Sequence, residues 1–200
     1  MSGIAREYSD ILGDSYVAGL WRNFMLRGLA WQSSVGCKAV SEYCAPSWSW
    51  ASVMAHSVVT SIKGENPSGR VKAGWIKIDA PLILLLLSDT KGPVGNIRLK
   101  TVNGDHDDDI ASFDTIGRDF DDSSELVKAM ELYALVLADI SDDRIRENLP
   151  LSKEPIHTSL IITPAGHDVK AMKRIGRMLL EPKSFGPDEL STSRSLVTLI

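Results

Sequence analysis

Apolar residues recur along this chain with two different periods. From Ser15 to Gly28, the residues Val17, Leu20, Trp21, Phe24 and Met25 stand at three- and four-residue steps, with Asp14 or Ser15 available as N-cap and Gly28 at the far end. That spacing predicts an amphipathic helix. Ile4, Tyr8, Ile11 and Leu12 repeat the pattern ahead of it and predict an earlier helical turn or two, separated by the break at Gly13 and Asp14. After Trp31 the character changes to short runs rich in β-branched and aromatic residues. These predict strands near Ser47–Ile62 (two, or one bent), Val71–Ile78, Pro81–Leu87, Gly95–Val102, Glu131–Ile140, Ile156–Thr163 and Ala171–Leu180. Gly64 to Gly69 with Pro67, Lys91-Gly92-Pro93, Asn103-Gly104 and Pro164-Ala165-Gly166 supply turns between most of them. Strands following one another without long helices between predict a mainly β, α+β fold. The expected form is an antiparallel β-barrel or sandwich of about seven or more strands with an N-terminal amphipathic helix.

With 200 residues, 44% of them hydrophobic and 24% charged, the chain suits one domain. Its expected parts are a helical segment over 1–31, packed on an antiparallel β-domain over 47–180, and a Ser/Thr-rich tail over 187–200 that either adds a strand or stays loose. The stretch 105–125 carries nine acidic residues around the short apolar run Ile110–Phe113, and is expected to be a solvated loop carrying one edge strand. Asp105, Asp107 and Asp109 have the opening spacing of a calcium loop. The sixth position, however, is Ile110 where Gly is needed and the twelfth is Ile116 where Glu is needed.

Charge and motif content exclude several classes. A formal net charge of −4 without a Lys/Arg block gives no face for phosphates, so no nucleic acid is expected. The longest apolar run, Ala80–Leu87, is shorter than the roughly 20 residues of a membrane helix and reads as a buried strand. The first residues hold no apolar leader core, which leads to the expectation of a cytoplasmic protein away from the membrane. Cys37 and Cys44 read as free thiols of a reducing compartment, with a disulfide or reactive thiol as the alternative. Neither a Gly-x-Ser-x-Gly elbow nor a Gly-x-Gly-x-x-Gly loop occurs. Gly64 to Gly69 has phosphate-loop glycine spacing but continues Arg70-Val71 where Lys and Ser/Thr belong. The four histidines lack a second ligand at metal spacing, so no metal or cofactor is called for. Lys173, Arg174 and Arg177 read as a solvated charge cluster on an edge strand, with an anion site as the alternative.

Five tryptophans stand out in a chain otherwise modest in aromatics. Read as a strand, Ser47-Trp48-Ser49-Trp50-Ala51 sends both indoles to one face. There they either fill the core or line an apolar pocket, which Trp21, Trp31 and Trp75 would help to wall.

The order Tyr16-Val-Ala-Gly-Leu-Trp-Arg22, Leu29-Ala-Trp31, Tyr43-Cys-Ala-Pro-Ser-Trp-Ser-Trp-Ala-Ser52 resembles the region downstream of the signalling domain in fungal heterokaryon-incompatibility proteins. Leu132-Tyr-Ala-Leu-Val-Leu-Ala138, Ser159-Leu-Ile-Ile-Thr163 and Lys173-Arg-Ile-Gly176 extend the resemblance over most of 16–180. It departs from the family pattern at Cys44, where a basic residue is usual, and at Met54-Ala55, where Asp-Gly is usual. The signalling domain itself would lie upstream, so the resemblance covers the downstream half alone. Two functions follow as expectations. The first is a stand-alone β-domain binding a hydrophobic small molecule, as a cofactor-independent cyclase or isomerase of the Diels-Alder type in fungal secondary metabolism. Shape and hydrogen bonding alone can drive such a reaction. Trp21, Trp31, Trp48, Trp50 and Trp75 would then bind substrate, with Tyr43, His56 and His157 as hydrogen-bond donors or acid-base groups. The second is a non-catalytic recognition module in heterokaryon incompatibility, acting through contacts with a full-length relative or as a homo-oligomer.

Overall fold

The computed structural model describes residues 3–32, 38–39, 43–54, 74–87, 98–102, 111–114, 129–139, 157–166, 168–180 and 188–200. Helix α1 spans Gly3–Leu12. The predicted helix over Ser15–Gly28 is instead a tight hairpin of β1 (Tyr16–Val17) and β2 (Leu20–Trp21), then a 3₁₀ turn Arg22–Phe24 and a short α2 (Met25–Leu29). The reason is local: Ala18 and Gly19 both adopt positive φ, 47° and 92°, the requirement of a two-residue hairpin turn whose twist matches its strands. The apolar spacing is real, but the Ala-Gly pair turns the chain back before a helix can propagate.

Beyond it lie β3 (Lys38–Ala39), a 3₁₀ turn Trp50–Ser52 and β4 (Val53–Met54). The predicted strand Ser47–Ile62 therefore begins only at Val53, and its remainder over 55–62 falls outside the described residues. Serine chemistry explains the difference, since Ser49 Oγ accepts from Ala51 N–H at 3.1 Å and Ser52 Oγ donates to Ser49 O at 2.7 Å. Such local bonds compete with a strand ladder.

The β-rich body is as predicted, with β5 (Ile76–Leu87), β6 (Leu99–Thr101), β7 (Ala111–Phe113), β8 (Leu132–Asp139), β9 (His157–Ala165), β10 (Asp168–Leu180), a short α3 (Glu189–Thr192) and β11 (Arg194–Leu199). Two predicted strands merge in β5, which runs straight through Pro81. That residue has no N–H to donate, and it stands one position before the β8 ladder begins at Leu82. The tail becomes β11 and the apolar run of the acidic stretch becomes β7.

Five strands close into a ring: β5 pairs β8, β8 pairs β9, β9 pairs β10, β10 pairs β11, and β11 returns to β5 over Arg194–Leu199 against Ile76–Pro81. An odd ring cannot alternate direction all the way round, so one neighbouring pair must be parallel. That pair is β10/β11, only two residues long at Ala171–Met172 against Thr198–Leu199. β6 extends the sheet beside β5, and β7 lies along β10 at Gly176–Met178.

The pleat sorts buried side chains onto two faces. One cluster joins all five ring strands through Ala80, Leu135, Leu137, Leu160, Ile162, Met172, Val197 and Leu199, and is completed by Leu20, Leu29 and Trp48. The other joins Ile83, Leu85, Leu132, Ala134, Val136, Ile161, Met178 and Leu180 with Leu99 of β6 and Ala111 of β7. Among the described residues no helix is long and apolar enough to cross a membrane.

Candidate functional site

The singled-out motifs meet at one place, where the N-terminal segment lies against β10. Trp48 is 1% exposed, inside the cluster shared by the five ring strands. Its carbonyl accepts the Trp31 indole N–H at 2.9 Å. Trp50, on the 3₁₀ turn, points away and is 40% exposed, so the two indoles do not share a face as a strand would require. Trp50 Nε1 donates to Gly19 O at 2.8 Å, and Ser49 Oγ donates to Ala18 O at 2.5 Å, so this turn holds the β1–β2 hairpin. Gly19 is doubly constrained there. Besides its positive φ, a Cβ would stand 2.5 Å from the Trp50 indole nitrogen. Trp21 is half-buried and packs edge-to-face on Tyr16, ring centres 4.9 Å apart.

Arg174 binds this assembly to the barrel. Far from being a solvated edge charge, it is 2% exposed. A register shift between Arg174 and Gly176 bulges β10 at Ile175, the kind of irregularity that re-aims neighbouring side chains. The guanidinium meets Asp114 in a fork, Nε to Oδ2 at 2.9 Å and Nη2 to Oδ1 at 3.1 Å. It also donates from Nη1 to Leu29 O at 2.5 Å and from Nη2 to Trp31 O at 2.7 Å. Four of its five N–H donors are thus used, and its flat face lies 3.6 Å from the centre of the Trp31 ring. Arg177 adds Nη1 to Ala30 O at 3.2 Å. The two arginines therefore satisfy the carbonyls at the C-terminal end of α2, which no further helical turn can satisfy. On the ring side, Arg174 N–H donates to Ser47 Oγ at 3.1 Å, and Ser47 N–H to Ile200 O at 3.1 Å.

Asp114 is the member of the acidic stretch that the structure describes, and at 4% exposure it is not solvated. Its N–H donates to the bulge carbonyl of Ile175 at 2.9 Å. Burial raises its carboxyl above the ordinary 3.8 by more than the charge and hydrogen bonds of Arg174 lower it. Burial likewise lowers the Arg174 pKa, against the opposing pull of Asp114. Burial thus opposes the charged form of each group, and the charge of its partner favours it. The fork with the backbone carbonyls is what the arginine supplies.

The remaining candidates stand elsewhere. Tyr43 is exposed on the surface, its hydroxyl pushed above 10.0 by partial burial and then by Cys44. His157 is the half-buried first residue of β9, opposite Leu180. Trp75 is 64% exposed with the Lys77 ammonium 5.6 Å from its ring centre. His56 lies outside the described residues. Cys44 is a free thiol whose Sγ donates to Ala51 O at 3.0 Å, and Cys37 too is outside the described residues. Asp114, Arg177 and Ser47 were not legible as partners. The pointers to Arg174 were its place in the Lys173-Arg-Ile-Gly176 motif and in the basic cluster Lys173, Arg174 and Arg177, whose alternative reading was an anion site. Compared with protein-family models, curated proteins and solved structures, the chain matches none of them.

Proposed function

We propose that this chain is a non-catalytic recognition module acting through protein contacts, the second of the two readings its sequence suggests. The observation that carries it is the apolar stripe of α1. Ile4, Tyr8, Ile11 and Leu12 are all exposed, Ile4 at 69% and Ile11 at 77%, while Ala5 beside them is buried and the helix end is tied by Asp14 N–H to Ser9 O at 3.2 Å. A helix anchored by one edge and presenting i, i+4, i+7 apolar side chains suits recognition by an apolar groove on a partner. Loss of these side chains from water is the driving force such docking needs.

The indoles support the same reading. Trp31, Trp48 and Trp50 are engaged in joining the segment to itself and to the barrel, which leaves them poorly placed to wall a cavity. A five-strand ring is also narrower than the roughly eight strands whose interior side chains just fill. The partner that the resemblance suggests is a full-length heterokaryon-incompatibility-type protein carrying the signalling domain. The test is titration calorimetry of such a relative with the wild-type chain and with an Ile4→Asp/Ile11→Asp variant of unchanged thermal unfolding. Binding by the wild type and at least about tenfold weaker binding by the variant are expected. Equal binding by both, or binding by neither alongside stoichiometric retention of an apolar small molecule in native mass spectrometry, would overturn the reading.

A further inference from the structure

Where β5, β11 and β10 run side by side, Ile76, Ile78, Met172, Val197 and Leu199 belong to the inner cluster or pack on it. The alternate residues of the same strands therefore face outward. The register sets these in rows, with Leu196 beside Asp79 and Thr198 between Lys77 and Ala171. One step further along both ladders, Ile200 comes between Trp75 and Lys173, and its N–H donates to Met172 O at 3.0 Å. Trp75, Leu196 and Ile200 are all exposed, Leu196 at 67%, and so are Lys77, Lys173 and Arg194. The Asp79 carboxylate is taken by Arg194, Oδ2 to Nη2 at 3.4 Å. Lys77 leans on the Trp75 ring, and among the described residues neither it nor Lys173 forms an ion pair.

We infer that this outer face of β5, β11 and β10 binds an extended peptide that carries acidic side chains on either side of an apolar one. On a chain of net charge −4, two cations without a counter-charge flank an exposed indole and an exposed isoleucine. Tryptophan is the anchor that protein contacts favour most, and the lysines make the face complementary to carboxylates. Lys77 and Lys173 stand two strands and two residues apart, about 12 Å at ordinary sheet spacings. In an extended peptide the side chains i and i+4 point the same way about 13 Å apart, with i+2 between them. Acidic residues at i and i+4 thus reach the two lysines while an apolar residue at i+2 lies over Trp75 and Ile200. An anionic membrane fits less well, since a juxtaposed leaflet calls for a larger cluster of cations and the Asp79 carboxylate shares the face. None of the α1 side chains takes part, so this surface is separate from the one proposed above.

The test is a titration of the whole chain, followed by NMR, with an acetylated and amidated pentapeptide of glutamate, serine, leucine, serine and glutamate. Saturable shifts are expected at the Trp75 indole N–H, assigned with Trp75→Phe, and at the Thr198 amide. A pentapeptide with glutamine in place of both glutamates should bind the wild type about tenfold or more weakly, and so should added salt weaken the acidic one. Lys77→Glu/Lys173→Glu should lose about tenfold or more, and Trp75→Ala, read at Thr198, about fivefold or more. The glutamine peptide keeps the inference testable even if a variant unfolds. Ile4→Asp/Ile11→Asp should bind the acidic pentapeptide within about twofold of the wild type, which separates failure here from failure at α1. No saturable shift up to a few millimolar peptide, equal binding of the glutamate and glutamine peptides, or unchanged binding by the charge-reversed variant would overturn the inference. So would binding of phosphatidylserine vesicles, lost in that variant, by a chain that ignores the peptide.

Discussion

A single arginine decides how two parts of this protein meet. Arg174→Met removes the fork and strands the Asp114 carboxylate and the Leu29 and Trp31 carbonyls, so it should cost about 3–5 kcal/mol in chemical denaturation. Asp114→Asn removes the carboxyl whose pKa burial raises and leaves the guanidinium buried without a counter-charge, so it too should cost about 3–5 kcal/mol in the same measurement. The sign of the pH dependence follows from the same raised carboxyl. Its contribution is fully present below 3.8, where the group is protonated folded and unfolded, and is lost as pH rises through the elevated folded value. Denaturation of wild type and Asp114→Asn across that range should therefore show the balance moving toward the variant as pH rises. A gap that widens in favour of the wild type would show that the pair itself stabilises the fold.

Among the elements, the β1–β2 hairpin shows where periodicity misleads. Val17, Leu20, Trp21, Phe24 and Met25 keep helical spacing, yet Ala18 and Gly19 turn the chain within two residues. Leu20 alone among those five is buried, and Phe24 is left exposed. Gly19→Ala should cost about 1–3 kcal/mol, since it meets both an unfavourable φ and the Trp50 ring. The loss should appear as faster exchange around 16–21 and a more exposed Trp50 in fluorescence. An unchanged melting temperature would mean that the Trp50 contact is not a constraint. The Ser47–Ser52 turn teaches the same lesson, because an alternating Ser-Trp pattern describes a strand only if serine side chains do not bond their own backbone. By contrast, β8, β9 and the second half of β5 were readable as they stand. β8 and β9 are near-continuous apolar runs buried on both faces, whereas the run Ala80–Leu87, read as a buried strand, buries Ile83 and Leu85 on one face and leaves Leu84 and Leu86 exposed on the other.

The whole molecule depends on its last strand. β11 closes the ring from the end of the chain, and Leu199, fully buried, is paired with Ile76 on one side and Met172 on the other. Leu199→Ala should cost about 2–5 kcal/mol by the cavity it leaves at the point of closure. Thermal unfolding measures it, and a cost under about 1 kcal/mol would show that the parallel β10/β11 contact adds little. The sequence by itself determined the β-rich class, most of the strands, the turn residues between them and the apolar helix at the start. Each of these depends on neighbours within a few residues. It did not determine that the tail closes a ring, that Pro81 lies within one continuous strand, that the acidic stretch buries an aspartate, or that one of three basic residues on β10 is the clamp. Those depend on residues 60 to 147 positions apart along the chain, as in Arg174 with Asp114, Trp31 and Arg177 with Ala30, whose hydrogen bonds exist only once the barrel has brought them together.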